Sequence, residues 1–325
     1  MTQTSLTSLT GRTAVVTGAG TGLGRAEALA LAAAGARVVV NDLGSGAEQV
    51  AAEIRAAGGE AFGLSGDVGE WERGQALVSA AIDTFGGLDI VVNNAGILRD
   101  TMVFNLTESD WDDVIRVHLK GHAALTQAAT AHWREQGKAT GGPIYGRIVN
   151  TSSEAFLFGP AGQPNYAAAK AGITALTLAT SQAMGRYGVT ANAICPRART
   201  GMTANVFSDP ESAGSTEPAA SAALDPLAPE RVATFVSYLA SPAAAEISGQ
   251  VFVVYSDFVA LMAAPAVEHT FIAADGAFTT EELARDLSGY FAGRPAERTF
   301  AARSVAKLDN TGAQNLARPT AVRAG

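Results

Sequence analysis

The chain has 325 residues, a formal net charge of −8 and a hydrophobic fraction of 47%. That much apolar material with only 17% charged residues excludes a largely disordered chain. The acidic balance argues against a nucleic-acid binder, which needs a basic field. A lone cysteine, Cys195, excludes an internal disulfide framework and suits a reducing compartment.

The first ten residues, MTQTSLTSLT, lack a basic stretch followed by an apolar one, so no signal peptide is expected. The most apolar long run, Val251 to Val267, is interrupted by Asp257 and Pro265, so no membrane span is expected. A soluble, cytoplasmic protein follows from these readings.

In chain order, short β-branched runs alternate with alanine- and leucine-rich stretches. Strands are predicted at Thr13–Thr17, Arg37–Asn41, Leu88–Val92, Arg147–Asn150, Val189–Ala193 and Gln250–Val254, with a weaker one near Glu60–Leu64. Helices are predicted at Leu23–Ala34, Ala47–Ala57, Glu70–Phe85, Glu108–Gln136, Asn165–Tyr187 and Pro229–Leu239. This alternation predicts an α/β fold: a doubly wound, mostly parallel sheet of Rossmann type, with ligands at the carboxyl ends of its strands. The domain is expected to span 1–258. Residues 203–229, rich in Pro, Ser and Ala, fall where a substrate lid or an inert connection would lie. Residues 259–325 form a C-terminal extension rather than an independent domain. Within it, Thr279, Thr280 and Glu282 open a helix running to about Tyr290. Its last 32 residues carry six basic and two acidic side chains. They read either as a tail or as an arm that folds over the domain or meets an anionic ligand.

TGAGTGLG at 17–24 follows a predicted strand and opens a predicted helix, the context of a dinucleotide loop. Gly18, Gly22 and Gly24 leave out β-carbons where the chain turns tightly beside a pyrophosphate, and Leu23 begins the helix whose free N–H groups would face it. Asp42 ends the second strand. A carboxylate there accepts from a ribose diol and repels a 2′-phosphate, which favours NAD over NADP; otherwise it is a turn cap. Asp67 and Val68 after the third strand, and Asn94, Ala95 and Gly96 after the fourth, fit the same groove, although either stretch alone reads as an ordinary turn. Tyr166 and Lys170 share one helix face. A phenol acting as a base near neutrality needs a cation to stabilise its anion, and an ammonium is the right kind of source. Alone, the pair would be an amphipathic helix with a surface lysine. Ser153, 13 residues earlier, brings a hydroxyl to the end of a predicted strand, with Ser152 as its rival. His118 and His122 lie four apart, but no carboxylate or cysteine completes a ligand set, so no metal is expected.

Taken together, these motifs, in order and at family spacing over residues 10–255, resemble the short-chain dehydrogenase/reductase family. The resemblance implies that Ser153, Tyr166 and Lys170 carry proton transfer while a nicotinamide exchanges a hydride with the substrate carbon. It also implies that Thr200 reaches the carboxamide. Where many members place an asparagine in a proton relay, this chain has His118, which would relay a proton or simply pack. Where many have Pro-Gly after the sixth strand, it has Pro196-Arg197. VVVNDLG at 38–44, VVNNAGILRD at 91–100, VHLKG at 117–121 and GRIVNTSS at 146–153 resemble, more narrowly, the (3R)-hydroxyacyl-CoA dehydrogenase part of peroxisomal multifunctional enzyme type 2. That branch implies NAD-dependent oxidation of a (3R)-3-hydroxyacyl-CoA to the 3-oxoacyl-CoA. A hydroxysteroid or other bulky secondary alcohol is the alternative substrate. A non-catalytic NAD-bound scaffold or sensor would usually have lost Tyr166 or Lys170, and both are present. The family implies a homodimer or homotetramer through the helices at 108–136 and 165–187. The extension would block one tetramer surface, which favours a dimer.

Overall fold

The computed structural model describes residues 6–201, 225–295, 298–302, 304–305 and 308. Strands β1 (Thr13–Thr17), β2 (Arg37–Asp42), β3 (Ala61–Ser65), β4 (Ile90–Asn93), β5 (Gly146–Thr151), β6 (Val189–Pro196) and β7 (Val251–Tyr255) pair in parallel, in the order β3-β2-β1-β4-β5-β6-β7. Helices α1 (Gly22–Ala33), α2 (Gly46–Ala56), α3 (Trp71–Phe85), α4 (Glu108–Val114), α5 (Gly121–Thr140), α6 (Ala155–Phe158), α7 (Pro164–Met184) and α8 (Pro229–Ala240) connect or flank them. The expected doubly wound fold is therefore present, and its strand order reverses between β1 and β4.

Alternation along the central strands sends side chains to two separate cores. Val16, Val38, Val40, Ile90 and Val92 pack with Leu31, Val236 and Leu239 on the face of α1 and α8. Val15, Val39, Val91 and Ile148 pack with Leu77, Leu125 and Trp133 on the face of α3 and α5. Each such fully buried aliphatic contributes roughly 1.5–3 kcal/mol, so slipping any central strand by one residue would exchange both cores at prohibitive cost. Trp133 keeps its ring in the core because its Nε1–H donates to the Leu88 carbonyl at 2.7 Å.

Two features depart from the sequence reading. The helix expected over Glu108–Gln136 is continuous but not uniform: Ile115–Lys120 forms a π-helical stretch between α4 and α5. Beyond Phe258 the chain adds an eighth strand, β8 (Phe258–Leu261), antiparallel to β7 at the sheet edge. The expected helix in the extension, α9 (Thr280–Ala292), has the cap that its sequence implies: Thr279 accepts from the Glu282 N–H while Glu282 accepts from the Thr279 N–H. The expected lid at 203–229 lies outside the described residues through position 224. Among the described residues, no helix is long and apolar enough to cross a membrane.

Candidate active site

A cavity of about 600 Å³ opens at the carboxyl ends of the strands, around the switch between β1 and β4. Its walls include Gly18, Gly22, Leu23, Asp42, Asp67, Val68, Asn94, Ala95, Gly96, His118, Ser153, Tyr166, Lys170 and Thr200. Of the residues singled out from the sequence as catalytic or cofactor-binding, all but Gly24 line this one cavity. Residues up to 182 positions apart in the chain are gathered because parallel strands end together at this edge.

One end is shaped by main chain. Gly18 has φ 62°, and a β-carbon there would lie 2.7 Å from the Ala95 Cα. A β-carbon at Gly24 would strike the Gly18 carbonyl and the Asn94 amide. The loop closes on β4 only because these positions are glycine. Asn94 Nδ2 donates to the carbonyls of Thr17 and Gly18, both at 3.1 Å, and Thr17 Oγ1 accepts from the N–H groups of Asn94 and Ala95. Deeper in, Asn93 Nδ2 donates to Asn150 Oδ1 at 2.9 Å and ties β4 to β5. The first turn of α1 has neither a side-chain cap nor an acidic residue, so its N–H groups and positive dipole end are left for an anion. This is what a dinucleotide pyrophosphate requires, and the cradle fits it. Asp42 accepts from the Gly20 N–H through Oδ2 and from the Leu43 N–H through Oδ1, both at 2.6 Å. It caps the turn and still faces the cavity, with lone pairs to spare. Asp67 accepts from the Gly69 N–H at 2.8 Å and from Arg116 at 2.5 Å. Burial lifts its carboxyl, but these two donors outweigh it and hold the group below the usual carboxylate range.

The other end is shaped by side chains. Lys170 is 2% exposed, and its ammonium donates to the Thr151 carbonyl at 2.6 Å. Its Nζ lies 5.3 Å from the centre of the Tyr166 ring. Burial pushes Lys170 down to about 7 and Tyr166 up to about 12, while the hydrogen bond from Ser153 acts the other way on the phenol. In the protein alone, desolvation is therefore the largest influence on both groups. Ser152, the rival to Ser153, also lines the cavity, but its hydroxyl is engaged with the Lys170 carbonyl at 3.0 Å and Thr174 Oγ1 at 2.8 Å.

His118 reaches this end through the π-helical stretch, whose wider turn reorients the face of the long helix. Its ring packs edge-on to Tyr166 at 5.2 Å and lies against Gly96, where a β-carbon would collide with it. Nε2 is 3.0 Å from the Ile97 nitrogen and 2.8 Å from the Ile97 oxygen, and buried Nδ1 has no partner among the described residues. Burial, followed by the Lys170 charge, holds the ring down to about 3, so it is neutral. Thr200 stands opposite Gly22, where a β-carbon would come within 3.3 Å of the threonine Cβ.

Sequence reasoning missed Arg197 and Glu154. They form a two-pronged ion pair at 2.6 and 2.7 Å beside the Ser153 loop. The only signal was the arginine standing where the family resemblance leads one to expect glycine.

Fold and site together define a dinucleotide-dependent oxidoreductase of the doubly wound α/β type. The model of the short chain dehydrogenase family matches residues 12–211, and the chain belongs to the short-chain dehydrogenase/reductase family. It is 52% identical, over 92% of its length and 94% of the relative's, to hydroxyacyl-CoA dehydrogenase ChsB1 of Mycobacterium tuberculosis. It is 41% identical to the mouse peroxisomal multifunctional enzyme type 2 over 74% of its own length but only 31% of that longer protein. A 3-oxoacyl-[acyl-carrier-protein] reductase of Synechocystis is 39% identical over 76% of this chain and 96% of its own. Among solved structures, a short chain dehydrogenase from Mycobacterium avium superposes with a TM-score of 0.75 at 42% identity, covering 88% of this chain and 97% of that one.

Proposed function

We propose that the protein is an NAD-dependent dehydrogenase that interconverts a (3R)-3-hydroxyacyl-CoA and the 3-oxoacyl-CoA. The observation that carries this reading is the gathering of Ser153, Tyr166 and Lys170 at one end of a cavity whose other end is a glycine cradle closed by Asp42. The acyl-CoA part rests on the likeness to ChsB1 over nearly the whole chain. NAD rather than NADP rests on Asp42, whose carboxylate sits where a 2′-phosphate would be repelled.

When bound, the oxidised nicotinamide supplies the hydride acceptor and a fixed positive charge. Gly18, Gly22 and Gly24 with the α1 N-terminus would hold the pyrophosphate, Asp42 the adenosine ribose, and Asp67 and Val68 the adenine side. Asn94, Ala95, Gly96 and Thr200 would border the nicotinamide half. Ser153 donates a hydrogen bond to the substrate oxygen and aims it at Tyr166. Tyr166 takes the hydroxyl proton at its phenolic oxygen as the carbon gives up hydride. Lys170 holds a positive charge beside the phenolate and would also bind the nicotinamide ribose. His118, neutral and buried, supports the Tyr166 ring edge-on rather than titrating itself.

A homodimer or homotetramer in the cytoplasm completes the proposal. Met102, Val103, Phe104 and Trp111, just before and on α4, are exposed, as expected of a face that meets a second copy. The test is a substrate panel with NAD and NADP. Turnover of (3R)-3-hydroxyacyl-CoA with NAD is expected to exceed that of the 3S antipode, of free hydroxysteroids and of the NADP reaction. Better turnover of a free steroid would move the assignment to a hydroxysteroid dehydrogenase.

A further inference from the structure

The arginine at 197 does more than fill the position after Pro196. Its side chain is 15% exposed and that of Glu154 11%. Nε donates to Glu154 Oε2 at 2.6 Å and one Nη to Oε1 at 2.7 Å. That same Nη also donates to the Val305 carbonyl of the C-terminal arm and the other Nη to the Leu308 carbonyl, both at 2.7 Å. The guanidinium lies 5.5 Å from the centre of the Tyr255 ring. The arm is seated as well as tied: Val305 is 5% exposed and packs with Cys195 and Val253, against Phe156, Leu157, Ala302 and Leu308. Its main chain adds a further bond, from the Ala302 N–H to the Leu157 carbonyl at 2.8 Å.

All these contacts converge on one short segment. Glu154 directly follows Ser153, and Leu157 lies one turn later on α6. Within that turn the Ser153 hydroxyl accepts from the Ala155 N–H at 3.2 Å, and the Ser153 carbonyl accepts from the Phe156 N–H at 3.2 Å. A four-residue helix has little stability of its own. Its place is set from outside, by a planar fork that satisfies a carboxylate and two carbonyls at once.

We propose that Arg197 and Glu154 are positioning residues. They clamp the C-terminal arm onto the segment that carries Ser153, and so make the arm part of the alcohol-binding end of the site. The inference rests on the reading of Ser153 as the group that binds the substrate oxygen. An ångström of misplacement at such a group is costly in turnover, whereas the dinucleotide cradle, built on β1, β2 and β4, is untouched.

The test compares Arg197→Met, the exchanged pair Glu154→Arg with Arg197→Glu, and Val305→Ser, all in the full chain. The exchange restores an ion pair, but a glutamate at 197 has no N–H to offer Val305 and Leu308. Val305→Ser keeps the clamp and loosens the seat, so it serves if the charge variants fold poorly. In each, amide exchange at 155–157 and 298–302 should quicken. Turnover on whichever secondary alcohol the wild type oxidises should fall about tenfold or more. NAD affinity, measured by equilibrium titration, should stay within about twofold. Turnover unchanged with the arm released, or full recovery in the exchanged pair, would overturn the proposal. Because the exchange measurement needs no substrate, slow exchange at 155–157 in Arg197→Met would also overturn it, even if the acyl-CoA assignment were wrong.

Discussion

At the end of the cavity formed by Gly18, Asp42 and Asn94, main chain does the recognising; at the end formed by Ser153, Tyr166 and Lys170, side chains do. The first end works by what is missing. Glycines let two strands and a loop close up, and an uncapped helix leaves its N–H groups to an anion. The second end holds a lysine pushed down to about 7 and a tyrosine pushed up to about 12, each kept from water by its neighbours. Binding can thus be preorganised by geometry alone, while proton transfer needs charges held where solvent would otherwise dissipate them.

Substitutions at the two ends should therefore separate into affinity and turnover. The largest effect is expected at the side-chain end. Lys170→Met keeps the buried stem and removes the charge, and should lower kcat on the order of 10²-fold, as measured by steady-state NADH formation. Next comes the main-chain end. Gly24→Ala places a methyl group against the Gly18 carbonyl, and should cost about 1–3 kcal/mol of stability by thermal unfolding while weakening NAD binding. Asp42→Asn should lower NAD affinity about tenfold and narrow the preference over NADP, with kcat at saturation little changed. An equal kcat loss at both ends would erase the distinction.

The smallest effect on activity is expected away from both ends. Glu27 on α1 is fully buried, both its carboxyl oxygens are without a partner among the described residues, and burial raises it to about 8. Between its unfolded value near 4.5 and about 8 the folded state holds a proton that the unfolded state has released, so its contribution to stability falls as pH rises through that window. Glu27→Gln removes this titration. The stability difference between variant and wild type should be near zero below pH 4.5 and grow to a few kcal/mol at pH 8. A pH-independent difference would show that the carboxyl ionises freely.

The same contrast explains what was legible in the sequence. β1, β2 and the glycine loop were legible because local sequence determines them: strand, tight turn and helix start lie within a dozen residues. Tyr166, Lys170 and Ser153 were legible as a pattern, but their burial and the resulting electrostatics depend on packing that no spacing encodes. The π-helical turn at Ile115–Lys120 was missed because one wider turn barely disturbs the hydrophobic period of a long helix. β8 was missed because it is four residues long at a half-exposed edge. The Arg197 clamp joins positions more than a hundred apart, and only the fold reveals its partners.

The central claim is that Tyr166 exchanges a proton with the substrate while the carbon gives up hydride. It is tested most directly by loading wild type and Tyr166→Phe with NAD, mixing each with (3R)-3-hydroxyacyl-CoA and following NADH in a single turnover. The account predicts equal NAD binding and NADH formation slowed by about 10²–10⁴-fold in the variant. Equal rates in the two proteins would contradict it.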